Sequence, residues 1–323
     1  MSSNNSKSTA HDDNFRVTAD AFDFFSKRDR VRTVDLKDAS NARCIAWNCD
    51  GTILATGCEN RSVYVGSLDA HYCRIRSNYI AYGNGQIDSL KFANQNPRMF
   101  ATCSSEDKTV RIWDTSISKT HKKIESKDHK YSVCWSPNDD YIVYIGKSGN
   151  NSVVNAIDAK TQQVHFSATL KEELFEVIFH PNGEYLFLAA DGGKLIVLEF
   201  PSMQRYRTFQ AHPPLSECVN VRVSPDGQKL AVGGSDACCS IWNLQDMMCT
   251  KMIDRLDYPV RALSFSKCSN MLAMGSEDSG IDIGWIGGGA NEKLTEIPVQ
   301  SQVHDLSWNP KILFTCIRNS SFK

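Results

Sequence analysis

One phrase recurs along this chain. The stretch VNVRVSPDG at 219–227 is nearly restated as YSVCWSPND at 131–139. An alternating apolar run that meets Ser-Pro and an Asp or Asn reads as a strand entering a hairpin. The last aromatic or apolar residue before the turn serves as a marker. Seven such markers stand along the chain: Trp47, Phe92, Trp135, Phe179, Val223, Phe265 and Trp308, at intervals of 45, 43, 44, 44, 42 and 43 residues. A period this even dictates a repeat architecture ahead of any other consideration.

Within each period the same order returns. The marker strand and its turn lead into a second apolar strand, as in MFATCSS (99–105) and KLAVGGS (229–235). A polar turn then opens a third, as in TVRIWD (109–114), CSIWN (239–243) and IDIGW (281–285). A looser fourth strand, such as RYRTFQ (205–210), precedes the next marker. Four short Val/Ile-rich strands per unit predict the blade of a β-propeller, and they lack the 3.6-residue spacing of a helical repeat.

Here the chain resembles the WD-repeat family. The dipeptide stands as Trp113-Asp114 and, softened, as Trp242-Asn243. The resemblance implies a buried hydrogen-bond network around each such Trp, with an Asp six residues earlier. Asp107 and Asp236 fill that place, and Asp278 fills it before Gly284. It also implies Ser104 or Ser105 and Ser235 as hydroxyl partners and His212 as the His partner, with Asn84 taking the His position in the second unit. These groups are expected to be structural, because a buried carboxylate persists only when its lone pairs are satisfied.

The reading is all-β: a single seven-bladed propeller spanning 30–323. The run RVRTVDL (30–36) is expected to close the ring as the outermost strand of the last blade. After Trp308 only ILFTCI (312–317) follows, so the last blade is expected to be incomplete, through truncation of the chain. Residues 1–17 read as a disordered polar tail and 18–29 as a short helix or arm, with Phe22 and Phe25 on one side and Thr18 as its cap. Lys27, Arg28, Arg30 and Arg32 form a weak basic cluster there, read as solvated charge on a packed helix or as an import or RNA-touching patch.

Charge is nearly balanced, 36 basic against 37 acidic side chains. That argues against a dedicated polyanion binder, and no direct sequence-specific nucleic-acid contact is expected. Twelve cysteines show no CxxC pairing, and Cys44, Cys103, Cys134 and Cys239 fall inside apolar runs. They read as small buried hydrophobes in a reducing compartment. No run approaches the ~18 apolar residues of a membrane span.

Longer stretches carry a narrower resemblance: GSDACCSIWNLQDMMCTKMIDRLDYPVRALSFS (234–266) above all, with EDSGIDIG, EDKTVRIWDTS and FHPNGEYLF. These are similar to the WD-repeat subunits of the THO complex, the assembly that couples transcription to messenger RNA export. The resemblance implies a nuclear, non-enzymatic scaffold. Its partners would be other THO/TREX complex proteins and, indirectly, messenger ribonucleoprotein. The alternative is another WD-repeat adaptor, one reading histone tails or degradation motifs.

No HExxH, GxSxG or GxxxxGK occurs, and the eight His residues are scattered. No catalytic residue, metal, cofactor or small-molecule substrate is expected. Function then falls to loops on a rigid scaffold. The loop Arg255-Leu256-Asp257-Tyr258-Pro259 gathers an aromatic, a proline and an arginine, residue types that anchor binding hot spots. The competing reading has Tyr258 packed between blades and Arg255 paired with Asp254 or Asp257. The runs 211–217 and 83–86 are the equivalent loops of earlier units.

Overall fold

The computed structural model describes residues 41–69, 72–80, 85–117, 120–125, 129–278, 280–287, 292–299, 302–311 and 315–317. Among them lie strands β1 to β26, forming six four-stranded antiparallel sheets and one two-stranded sheet. Each sheet follows chain order from its innermost to its outermost strand. The innermost strands are β1 (Ala42–Trp47), β5 (Ser89–Phe92), β9 (His129–Trp135), β13 (Leu174–Phe179), β17 (Cys218–Val223) and β21 (Ala262–Phe265). The two-stranded sheet pairs β25 (Leu306–Trp308) with β26 (Thr315–Ile317). Every sequence marker is the last residue of one of these strands.

The expected count of seven blades is corrected by this arrangement. Among the described residues six blades have four strands each, and the last period contributes β25 and β26. The strand expected at 30–36, the helix at 18–29 and the tail at 1–17 lie outside the described residues. So does the basic cluster of Lys27, Arg28, Arg30 and Arg32.

The recurring Ser-Pro phrase has a local cause. In blade five, Ser224 Oγ donates to Asp226 Oδ1 and accepts the Lys229 amide at 2.9 Å, while the Gly227 amide donates to Ser224 O at 2.8 Å. The proline fixes φ for the turn, and the flanking side chains tie the hairpin. Ser136 and Ser266 repeat the bond to the following strand, to Tyr141 N at 2.9 Å and Met271 N at 3.1 Å. Turns also join neighbouring blades: Asp139 accepts the amides of Asn94, Gln95 and Asn96 at 2.7, 2.8 and 3.0 Å.

The core lies between blades. Cys134, Val143 and Val154 of blade three pack with Val177, Leu186 and Leu188 of blade four. Phe187 and Leu195 of blade four pack with Val221, Leu230 and Trp242 of blade five. No blade buries its own faces, so each sheet depends on its neighbours for the burial that stabilises a repeat. In all six blades the third and fourth strands pair with a register shift, which re-aims the outer strand and raises local twist.

A candidate docking face and the network that holds it

Connections from each outermost strand to the next blade, and the turns between second and third strands, lie at the same end of every sheet. Blade five consists of β17, β18 (Lys229–Gly234), β19 (Cys239–Asn243) and β20 (Met248–Ile253). Its leading loop, 211–217, is held from below. His212 is buried, with Nδ1 3.0 Å from Asp236 Oδ2 and Nε2 3.1 Å from Val232 O and 3.3 Å from Ser240 Oγ. Trp242 Nε1 donates to Ser240 Oγ at 2.9 Å. The chain of contacts therefore runs Asp236, His212, Ser240, Trp242.

The hydroxyl expected from Ser235 is displaced from this network. Ser235 Oγ instead accepts the Glu217 amide at 2.8 Å, tying the end of the same loop. The acting hydroxyl lies on β19, two residues before Trp242, so strand alternation puts both on one face. Gly234 leaves the room this requires, since a Cβ there would meet the His212 ring and Asp236.

Blade two solves the same position differently. Its second and third strands are β6 (Met99–Ser104) and β7 (Thr109–Asp114). Trp113 Nε1 donates to Thr102 Oγ1 at 2.8 Å, and its ring stacks on Phe100 with centroids 5.8 Å apart. Asp107 turns away from Trp113 and accepts from Arg111 Nη2 and Thr109 Oγ1, each at 2.9 Å. Ser104 Oγ accepts the Asp107 amide, and the Ser105 amide donates to Asp88 Oδ2. Residue 84 lies outside the described residues.

Blade six gives a third solution, and it builds the loop 254–261. Its strands are β21, β22 (Met271–Gly275), β23 (Gly280–Trp285) and β24 (Glu292–Pro298). Asp282, two residues before Gly284, is only 2% exposed and faces Arg255 as a two-point ion pair, with Nε to Oδ2 at 2.9 Å. Arg255 thus pairs with Asp282 rather than Asp254 or Asp257. Breaking such a buried pair by removing one partner costs about 3–5 kcal/mol, so this arginine is a structural pin. Asp278 accepts from Ser276 Oγ at 2.6 Å and from the Asp257 amide at 3.2 Å, pinning the loop again.

Tyr258 is left outward. It is 49% exposed and so does not pack between blades. Pro259 beside it is half-buried, and Leu215 at the tip of the preceding loop is fully exposed. An aromatic and an aliphatic side chain on two pinned loops present apolar area with little conformational entropy to lose on binding.

The axis carries a feature that the sequence reading missed. The residue three before each marker is Cys44, Ser89, Ser132, Glu176, Asn220, Ala262 and Asp305 in turn. Innermost strands have one edge without a strand partner, and four of these side chains supply it. Ser89 Oγ accepts Val133 N, Ser132 Oγ accepts Val177 N, Glu176 accepts Val221 N and Asp305 accepts Ile45 N, at 3.4, 3.4, 3.0 and 3.1 Å. With Trp308 N on Ser264 Oγ and Trp47 N on Ser307 Oγ, β25 is bonded to both β21 and β1.

A cavity of about 120 Å³ opens among them. Glu176 and Asp305 converge on it, but Arg222 pairs with both and Lys91 lies 3.8 Å from Glu176. Two carboxylates do meet here, where the sequence suggested none, and both are engaged by cations. Among the described residues no group of three or more His, Cys, Asp or Glu is placed to hold a metal ion. Cys44, Cys134, Cys218 and Cys239 are free thiols, and burial pushes those of Cys44, Cys134 and Cys239 well up and that of Cys218 up to about 12. At neutral pH they act as apolar side chains.

A family model for the WD domain, G-beta repeat, matches residues 30–65, 74–114 and 203–243. The chain is 26% identical to THO complex subunit 3 of Arabidopsis thaliana over 268 residues, covering 83% of this chain and 82% of that protein. It is 25% identical to WD repeat-containing protein AAC3 of Dictyostelium discoideum over 69% of this chain, spanning about 50% of that relative. In structure it matches the β-propeller domain of Cps50 (Swd1) of Myceliophteria thermophila with a TM-score of 0.75, covering 90% of this chain and 95% of that one at 13% identity. That likeness establishes the fold.

Proposed function

We propose, for a chain that carries WD40 repeats on a β-propeller, the role of a non-enzymatic scaffold subunit of the THO complex. In this role it supports transcription-coupled packaging and export of messenger RNA from the nucleus through protein contacts. The observation that carries the reading is the extent of the match to THO complex subunit 3, more than four-fifths of both chains, which a shared single motif would not give. The pinned loops support it. Arg255, Asp278 and Asp282 fix the 254–261 backbone from inside, so Tyr258 meets a partner already ordered. The balanced charge favours protein over polyanion as the direct partner.

The test is affinity purification of the tagged full chain from nuclear extract with quantitative mass spectrometry. Other THO subunits should co-purify, and Tyr258→Ala should reduce their recovery about tenfold with thermal unfolding unchanged. Absence of every THO subunit from the purified material would overturn the assignment. Undiminished recovery with Tyr258→Ala would remove the loop from the interface while leaving the assignment standing.

A further inference from the structure

The opposite face, built by the turns between first and second and between third and fourth strands, holds a second feature. A groove of about 390 Å³ runs beneath blade five, lined among others by His180, Gln228, Lys229, Trp242, Asn243 and Gln245. It continues past His180 as a row of rings. The His180 and Tyr185 centroids are 6.3 Å apart, those of Tyr185 and Tyr206 are 5.3 Å apart, and the Arg207 guanidinium lies 5.9 Å from the Tyr206 ring. Tyr206 is 53% exposed, on an outer strand where five of six residues face solvent. A single exposed aromatic needs no explanation. A row of three leading into a groove does.

The polar groups along the groove are donors in waiting. His180 Nδ1 lies 2.6 Å from Asn182 Oδ1 and 3.1 Å from the Asn182 amide nitrogen, and Nε2 has no partner among the described residues. The side-chain amides of Gln228 and Gln245 are exposed and likewise unpartnered there. The cations are mostly spent: Lys229 lies 3.6 Å from Asp226, and Arg205 is bound two-point by Glu172. Arg207 has no carboxylate partner among the described residues. A phosphate backbone needs clustered free cations, which this face lacks.

We propose that this groove and its ring row bind a proline-rich segment of another protein in the polyproline II conformation, with an acidic residue beside it. Such a segment has no internal hydrogen bonds, so its carbonyls are open to the Gln228 and Gln245 side-chain amides. It rises about 3.1 Å per residue, so two residues span about one ring-to-ring step of this row. Its stiffness lowers the entropy lost on docking, and aromatic-lined grooves recognise it for that reason. Arg207, at the open end, pairs with the acidic flank and sets direction.

The probe is a fluorescent peptide of about twelve residues, mostly proline with one terminal Glu, titrated into the full chain by polarisation. A Gly/Ser peptide of equal charge and an oligouridylate serve as comparisons. The proline peptide should bind and the Gly/Ser peptide should not. Tyr206→Ala should weaken binding about tenfold, and the Gln228→Ala Gln245→Ala double variant severalfold, while Tyr258→Ala on the other face changes nothing. Because all four positions are exposed, melting curves should be unaltered. No binding by the proline peptide, binding indifferent to Tyr206, or displacement of the peptide by oligouridylate would each overturn the proposal.

Discussion

Blades two and five carry the same spacing, an Asp six residues before a Trp, and fold it into different networks. In blade five Asp236 reaches Trp242 through His212 and Ser240. In blade two Asp107 turns to Arg111, and Trp113 finds Thr102 on the neighbouring strand. The full Trp-Asp dipeptide stands in the blade whose Asp and Trp are not joined in this way among the described residues, and the softened Trp-Asn in the blade where they are. The decisive position is two before the Trp. Ser240 there bridges ring to ring, whereas Arg111 captures the Asp and leaves the indole to Thr102. Asp282 at the same place in blade six recruits Arg255. What recurs is a polar group in one place on the third strand, and its chemistry decides which loop is tied down.

The largest effect should come from removing the indoles. Trp242→Ala and Trp113→Ala each delete a buried aromatic and should each cost about 3–5 kcal/mol by denaturant titration. The blades then part company in amide exchange. Trp242→Ala frees Ser240 and His212, so amides of 211–217 should lose protection well beyond the global change. Trp113→Ala should leave 85–88 following global unfolding only. Equal loosening of both loops would mean that the His212 link adds no local order.

A smaller effect tests the linkage itself. Asp236→Ala removes the partner of a buried imidazole and should cost about 1–3 kcal/mol. Combined with Trp242→Phe, which keeps the ring but not the donor, it should show a coupling of about 0.5–3 kcal/mol. Asp107→Ala combined with Trp113→Phe should be additive within about 0.5 kcal/mol, because among the described residues the two engage different groups. Coupling of similar size in both blades would erase the distinction drawn above.

Much of this was legible in the sequence. Each marker ends an innermost strand, because the alternation and turn chemistry that make it visible also stop the strand there. Asp236, His212 and Trp242, grouped by the family resemblance, stand together in the structure. Ser235 does not join them, because the hydroxyl that does lies on the strand rather than in the turn. The pattern Ser-Ile-Trp against Arg-Ile-Trp held that information. The axial residues were equally readable as a position three before each marker that is polar in five of the seven repeats, but only once the ring shows that the inner edge lacks a strand partner. Arg255 could not be assigned from spacing, because its partner Asp282 lies 27 residues away on another element. The expected seventh blade, read as incomplete, is represented among the described residues by a two-stranded sheet beside six complete blades.

The smallest effect concerns a thiol beneath the blade-five loop. Cys218 opens β17 five residues before its marker, and the matching residue in blade two is Ile87; both are fully buried. Burial pushes the Cys218 thiol from its ordinary 9.0 up to about 12, with the Asp236 carboxylate adding to the rise. The folded state therefore favours the neutral thiol. Its contribution is complete below pH 9, where the unfolded thiol is also protonated, and is lost as pH rises from about 9 towards 12. The slope from this one group is at most about 1.4 kcal/mol per pH unit. Cys218→Ala should lower stability by a constant amount at neutral pH and flatten the decline between pH 9 and 11, measured by urea titration at each pH. Ile87→Ala in blade two should lower the whole curve without changing its slope. Parallel curves for both variants would show that the buried thiol does not titrate on unfolding, and the chemical difference between the two blades would then end at their hydrogen bonds.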